Sequence, residues 1–341
     1  MAVHRRPVAG GQAVSANIVE RLADGERLIL DGGTGSELQR RGVEVLHGSA
    51  DTKRLTAWSA MANLEAADVV RQVHTDYLRV GADVITSNSF WTGPTRMARV
   101  GLADDWERYA RAAGENAVAA RDAADPDAYV FGGIAPPAMP AAEGQPEQSD
   151  VAAMGATAFR KEYGDQARVL ADTGVDAILA EYVGWTDEAV AAVEVCAGTG
   201  LPVFLAIRHV QPDGTMQYGE RLEDLAAALR DGPVAGVMLM CTAPERITAG
   251  LGRLKEAFDR PVGGYPNIGY MPLAPVDPDR PRMTNELPSR SSDFLQAADY
   301  YPSRLAGFAR EWQDMGAQII GGCCATGPEH IMAMAQIVKG A

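Results

Sequence analysis

Near the C-terminal end an apolar run meets two glycines and then two adjacent thiols: Gln318-Ile319-Ile320-Gly321-Gly322-Cys323-Cys324. Neighbouring cysteines seldom close a disulfide with each other, because the bond demands a particular Cα separation and dihedral. They can both ligate one soft metal ion. The glycines let the backbone turn sharply with no side chain in the way. Thr326-Gly327-Pro328-Glu329 then reads as a helix start with the proline in its first turn. Cys241 closes another apolar run, residues 235–240. Three thiolates, from Cys241, Cys323 and Cys324, suit Zn2+ at about 2.3 Å per bond, and three protein ligands leave a fourth position open, as in catalytic sites. The bland alternative is a set of buried, unreactive cysteines. It suits Cys241 alone better than an adjacent pair behind two glycines. Cys196 falls in a helical pattern and reads as packing. Anionic sulfur ligands make zinc a weak Lewis acid, so activating water is not its best use. A thiol that coordinates loses its proton and becomes a nucleophile at neutral pH. Alkyl transfer to sulfur is the natural reaction.

Eight short apolar runs must position these groups: residues 27–30, 83–88, 129–133, 177–180, 202–207, 235–240, 261–265 and 317–321. Patterns with helical spacing separate them, such as Val69, Val70, Val73 and Tyr77. Unbroken apolar runs belong to strands covered on both faces, hence to a parallel sheet. Eight strand–helix units predict a single-domain (β/α)8 TIM barrel, with a doubly wound open sheet as the alternative. The barrel is favoured by where polar residues fall. Asp31, Asn88, Glu181, Cys241 and Cys323 each stand at the C-terminal end of a run, and those ends converge on the mouth where barrel enzymes do chemistry. Residues 1–15 read as a flexible arm, 16–341 as the barrel, and 267–298 as a long, proline-rich, irregular loop. The run Asp31-Gly32-Gly33-Thr34-Gly35 has no lysine after it and no full dinucleotide fingerprint, so it reads as a tight turn as readily as a phosphate loop.

Composition excludes several classes. With 47% hydrophobic and 22% charged residues, the 341-residue chain is an ordinary globular sequence. A net charge of −14 argues against a nucleic acid or an anionic membrane as partner. No apolar run approaches the ~20 residues of a membrane helix, and the basic N-terminus has no apolar core of a signal peptide. Four cysteines in this length are no disulfide framework. A cytoplasmic enzyme with reduced thiols is expected. Five histidines argue against a His-built metal site.

The sequence resembles the zinc-dependent homocysteine S-methyltransferases, including the betaine–homocysteine and S-methylmethionine–homocysteine enzymes. The likeness covers residues 28–338. It rests on Leu30-Asp31-Gly32-Gly33, on the run from Gly81 to Phe90, on Ala180-Glu181-Tyr182, on Tyr265-Pro266-Asn267, and on Gly321-Gly322-Cys323-Cys324 with Cys241 upstream. It implies a (β/α)8 barrel, a zinc held by Cys241, Cys323 and Cys324, and small-molecule substrates, homocysteine and a methyl donor. Asp31 and Gly32 would lie beside the amino-acid end of homocysteine. Glu181 would accept from its ammonium, and Tyr182 would approach the metal when no thiol is bound. A mouth salt bridge is the other reading of Glu181, and a helix N-cap that of Asp31. The chain departs from the family pattern in Met240 before Cys241, where many members have Asn, in Trp91 after Phe90, where the betaine enzymes have Tyr, and in a longer, more polar stretch at 45–56.

A methyl on an onium centre is a cation with no hydrogen-bond donors, and aromatic faces hold such a cation best. Trp91, just past the second run, and Trp58, where the resemblance puts a donor-side aromatic, are the candidates; packing is the competing role for both. Betaine and S-methylmethionine rank above S-adenosylmethionine, since no adenosine-binding fingerprint is visible. Two other classes stay open: the same barrel with a different thiol acceptor or a methylated-amine donor, and a non-catalytic zinc or redox protein.

Overall fold

Eight parallel strands run side by side: β1 (Leu28–Ile29), β2 (Val84–Thr86), β3 (Tyr129–Ile134), β4 (Ala177–Val183), β5 (Val203–Arg208), β6 (Val234–Met240), β7 (Val262–Tyr265) and β8 (Ile319–Ile320). The coordinates are a computed structural model that describes residues 17–45, 57–139, 146–268 and 300–340. The expected arm, the polar 46–56 stretch and all but the first two residues of the 267–298 loop lie outside the described residues.

The strand order is β1-β8-β7-β6-β5-β4-β3-β2. The ring closes because Leu30 bridges Val84 in parallel. Two backbone bonds reinforce the seam: Asp31 N donates to Val84 O at 2.9 Å and Asp83 N to Ile29 O at 2.7 Å. An open sheet would leave β1 or β2 with a free edge, so the alternative falls and the (β/α)8 barrel stands.

Alternation along the strands sorts side chains into two layers. Leu28 and Leu30 point inward with Phe131, Leu179, Phe204 and Met238, while Ile29 joins the layer between strands and helices with Val70, Phe159 and Leu251. Helix Ile18–Ala23, opened by an Asn17/Glu20 capping box, adds Ile18 and Leu22 to the inner layer. It sits at the N-terminal ends of the strands, where Gln318 Nε2 donates to Leu22 O at 2.6 Å. That end is a plug, and the opposite end is left for chemistry. No described helix is long and apolar enough to cross a membrane.

Some boundaries differ from the sequence reading. Helix Thr34–Arg40 begins at once after Gly33, whose position offers no side-chain cap. A 3₁₀ turn, Trp58–Met61, and helix Ala62–Glu65 follow the polar stretch. Helix Thr186–Ala197 starts directly after Trp185, which holds the cap position. The largest difference is in β4. It runs through Glu181 and Tyr182 to Val183 with a register shift after Ala180.

Candidate active site at the barrel mouth

The Sγ atoms of Cys241, Cys323 and Cys324 lie within 4.8 Å of one another. Cys241 follows β6 and the other two follow β8. The segment after β7 joins the two loops. Cys241 N donates to Tyr265 O at 3.1 Å, Asn267 N to Thr242 O at 3.0 Å, Cys323 N to Pro266 O at 2.9 Å, and Ile268 N to Cys324 O at 3.1 Å. The motif Tyr265-Pro266-Asn267 is therefore a backbone splint that holds the thiols together. Asn267 adds a side-chain bond, Nδ2 to Cys241 Sγ at 3.6 Å. This supplies the support that Met240 puts in question in the sequence: the amide comes from the next strand's loop.

The cluster is electrostatically poised for a cation. Hydrogen bonds from Cys241 and then Cys323 hold Cys324 well below the usual thiol range. Contacts with Cys241 and Cys324, together with burial, push Cys323 up. Cys323 lowers Cys241, but Cys324 and burial outweigh it and push Cys241 up, so Cys324 is the thiol of the three that ionises most readily. Tetrahedral Zn–S bonds of about 2.3 Å place sulfurs about 3.8 Å apart, and Cys323 and Cys324 stand at 3.9 Å. The donor set and its spacing fit zinc. The cage needs close backbone approach: a Cβ on Gly322 would come within 2.2 Å of Thr326 Oγ1, and one on Gly33 within 2.5 Å of Cys323 O.

Next to the thiols lie two buried acids. Glu181 accepts from Tyr265 Oη at 3.3 Å, and burial pushes its carboxyl up to about 8, with Cys324 adding to the shift. Gly133 on β3 makes room for it, since a Cβ there would meet Glu181 Oε1 at 2.5 Å. Asp31 accepts from Thr86 N at 2.9 Å and is raised well above the usual carboxylate range, chiefly by burial and further by Glu181. It ties β1 to β2 and does not cap helix Thr34–Arg40. Neither acid has an ion pair among the described residues. Gly32 lies against Thr326 O and the Tyr77 ring, at 2.6 and 2.8 Å from where a Cβ would stand. Gly32→Ala is accordingly expected to cost about 1–3 kcal/mol of stability by overpacking. Gly307, in helix Pro302–Asp314 with open space around it, should gain up to about 1 kcal/mol as Ala. Urea midpoints of the two variants check this, and an unchanged Gly32→Ala midpoint would show that the mouth yields.

Asn88 is committed to a local network. It accepts from Ser59 Oγ at 2.6 Å and donates to Ser59 O at 2.9 Å and Asn63 Oδ1 at 3.0 Å. These bonds lock the Trp58–Glu65 segment onto the end of β2. Trp58 itself has φ +46° and packs over Gly35, where a Cβ would meet its Nε1 at 2.1 Å. Trp91 carries the Arg96 guanidinium 3.8 Å from its ring centroid and packs on Phe90 at 5.2 Å.

Tyr182 stands at the centre of the aromatic side of the mouth. Its φ of +62° follows the β4 register shift and turns the ring toward Phe90, 5.4 Å away and edge-on. Its hydroxyl is 2.9 Å from His209 Nε2. Burial, with Arg208 beside it, pulls His209 down to about 3, so the imidazole is neutral. Tyr182, His209 and Cys241 all have positive φ, at +62°, +49° and +50°, just past or within the ends of β4, β5 and β6. Such backbone costs free energy and gathers at functional sites. Sequence reading missed Arg208 and His209, although they end β5 as Glu181 and Cys241 end their strands. Applying the strand-end rule to every strand would have found them.

A barrel with a thiol cage, paired buried acids and an aromatic wall at the C-terminal ends of its strands has the architecture of a barrel enzyme with its site at the mouth. The homocysteine S-methyltransferase family model matches residues 28–338. Homocysteine S-methyltransferase 4 of Zea mays is 30% identical over 327 residues, covering 91% of this chain and 89% of its own. Betaine–homocysteine S-methyltransferase 1 of Bos taurus is 27% identical over 339 residues, covering 96% and 76%. Among solved structures, the homocysteine methyltransferase MmuM of Escherichia coli in its oxidized form matches with a TM-score of 0.73 at 25% identity, over 93% of this chain and 98% of that one. Its metallated form matches with a TM-score of 0.72, over 94% and 99%. The chain belongs to the homocysteine S-methyltransferase family and is a methyltransferase.

Proposed function

We propose that the chain moves a methyl group from an onium donor to the thiol of homocysteine, giving methionine, with Zn2+ held by Cys241, Cys323 and Cys324. The observation that carries this reading is the three-thiol cage beside two buried, unpaired acids. A zinc bound there would supply the charge that takes the proton from an incoming thiol. Every other part falls to the protein. Glu181 and Asp31 would receive the ammonium of homocysteine, whose positive charge offsets the cost of ionising two buried carboxyls. Gly32 would give that end of the substrate room against the backbone. Tyr182 is committed to His209 and would have to leave it to approach a metal. Asn88 would act by holding the Trp58 segment against β2. Homocysteine and the donor are the small-molecule partners of this reading, and reduced thiols fit a cytoplasmic enzyme.

The onium methyl would lie against Trp58 and the Phe90–Trp91–Tyr182 wall, which excludes water and favours a cation by roughly 2 kcal/mol. The in-line displacement then needs no covalent enzyme intermediate. Trp91→Leu and Trp58→Leu should each raise the donor concentration needed for half-saturation while leaving that of homocysteine in place. Methyl-transfer assays of zinc-loaded protein with betaine, S-methylmethionine and S-adenosylmethionine test both points. No transfer to homocysteine from any donor overturns the reading, and donor saturation indifferent to both tryptophans overturns the aromatic wall.

A further inference from the structure

Met240, the last residue of β6, is buried in the inner layer of the barrel. Three distances converge around its sulfur. Met240 Sδ accepts from Tyr182 N at 2.9 Å and from Tyr265 Oη at 3.2 Å. The same Tyr265 hydroxyl reaches Glu181 Oε2 at 3.3 Å. The thioether therefore touches the backbone next to Glu181 and the hydroxyl that meets the Glu181 carboxylate.

The need for this acceptor arises in β4. Three residue steps on β4, from Ala180 to Val183, stand against two on β5, from Leu205 to Ile207. The extra residue makes a β-bulge, a device that re-aims side chains beside active sites. The register pairs neither Glu181 nor Tyr182 with a residue of β3 or β5. A bulge disrupts the ladder, and a buried N–H left without an acceptor is costly. Met240 reaches in from β6 and takes the Tyr182 N–H. His209 holds the other end of Tyr182 through the hydroxyl, and His209 N donates to Met240 O at 3.3 Å.

Met240 is itself held firmly. It is the register partner of Tyr265, and Cys241, the next residue, donates its N–H to Tyr265 O. The rung that places the first thiol thus also places the sulfur that holds the bulge. A leucine would fill the same space and accept nothing.

We propose that Met240 is a positioning residue, whose thioether fixes the β4 bulge and so sets where Glu181 stands relative to the thiol cage. The consequence for substrate rests on the reading in which Glu181 receives the ammonium of homocysteine.

Two readouts test this on zinc-loaded full-length protein. The first is exchange of the Tyr182 amide proton, followed by NMR of protein labelled with 15N-tyrosine and assigned through its loss in Tyr182→Phe. The second is homocysteine binding by calorimetry. Met240→Leu conserves volume but removes the acceptor. It should speed exchange at Tyr182 about tenfold or more, leave the other tyrosine amides as they were, and weaken homocysteine about tenfold. A thioether is a weak acceptor, so the amide oxygen of Met240→Gln should restore both values. That second variant stands on its own should Met240→Leu fail to fold. Wild-type exchange at Tyr182 in Met240→Leu overturns the proposal. So does faster exchange at every tyrosine amide, which would mark a packing role, and so does a folded Met240→Gln that restores neither value. If wild-type protein binds no homocysteine, the functional reading falls, and exchange at Tyr182 alone decides whether Met240 holds the bulge.

Discussion

Replacing Cys323 and Cys324 together by serine should strip the protein of zinc while leaving its fold in place. The wild-type chain is expected to carry about one zinc, since its three sulfurs lie within 4.8 Å of one another and no other cluster of three metal-ligating side chains exists among the described residues. Thiolates supply most of the attraction in such a site. Structural zinc sites bind with roughly 10–16 kcal/mol, and a serine hydroxyl is a far weaker ligand because it keeps its proton at neutral pH. Cys241→Ser alone, or Cys323→Ser alone, should therefore also lose the metal. The loops should stay where they are. Their splint to Pro266 and Ile268 uses backbone atoms, Cys323 N and Cys324 O, and no sulfur. Elemental analysis with circular dichroism separates the two effects. Oxidation of the vicinal thiols should expel zinc in the same way. Full zinc in the double variant would remove the thiolate assignment.

Glu181→Gln should raise the homocysteine concentration needed for half-saturation by about 10- to 150-fold, the equivalent of roughly 1.5–3 kcal/mol for a charged hydrogen bond. Glutamine keeps the shape and the hydrogen bond with Tyr265 Oη but cannot carry the charge an ammonium needs. The zinc content should not change, because Glu181 is not among the clustered thiols. Donor saturation should change far less, because the Glu181 carboxylate faces Gly133 and Tyr265 and only homocysteine brings an ammonium to it in this reading. Unchanged homocysteine kinetics would refute the assignment.

Much of the candidate site was legible because one rule applies to every strand of a parallel barrel: polar residues at the C-terminal end face the mouth. Asp31, Glu181, Cys241 and Cys323 followed from it. Arg208 and His209 obey the same rule and were missed because the fifth apolar run was read as ending at Ile207. Arg96 had no such signal. It lies in the short helix Pro94–Ala98, and only packing shows its guanidinium over Trp91. Asn267 was visible only as part of a motif. Its bond to Cys241 depends on how the loops of β6 and β7 meet, which no spacing reveals.

The sequence by itself determined what local chemistry can determine. Unbroken apolar runs require strands buried on both faces, and helical spacing between them makes the connections crossovers. Adjacent thiols behind two glycines cannot easily do anything but bind or pack. The tertiary structure decided everything that depends on distance between residues far apart in the chain. Closure rests on Leu30 meeting Val84. The register shift after Ala180 and the positive φ of Tyr182 set that ring edge-on to Phe90, at the rim of the inner core layer. Gly133 and Gly322 show their purpose only against Glu181 and Thr326. Periodicity reports which face of an element is buried; register and long-range packing set what that face meets.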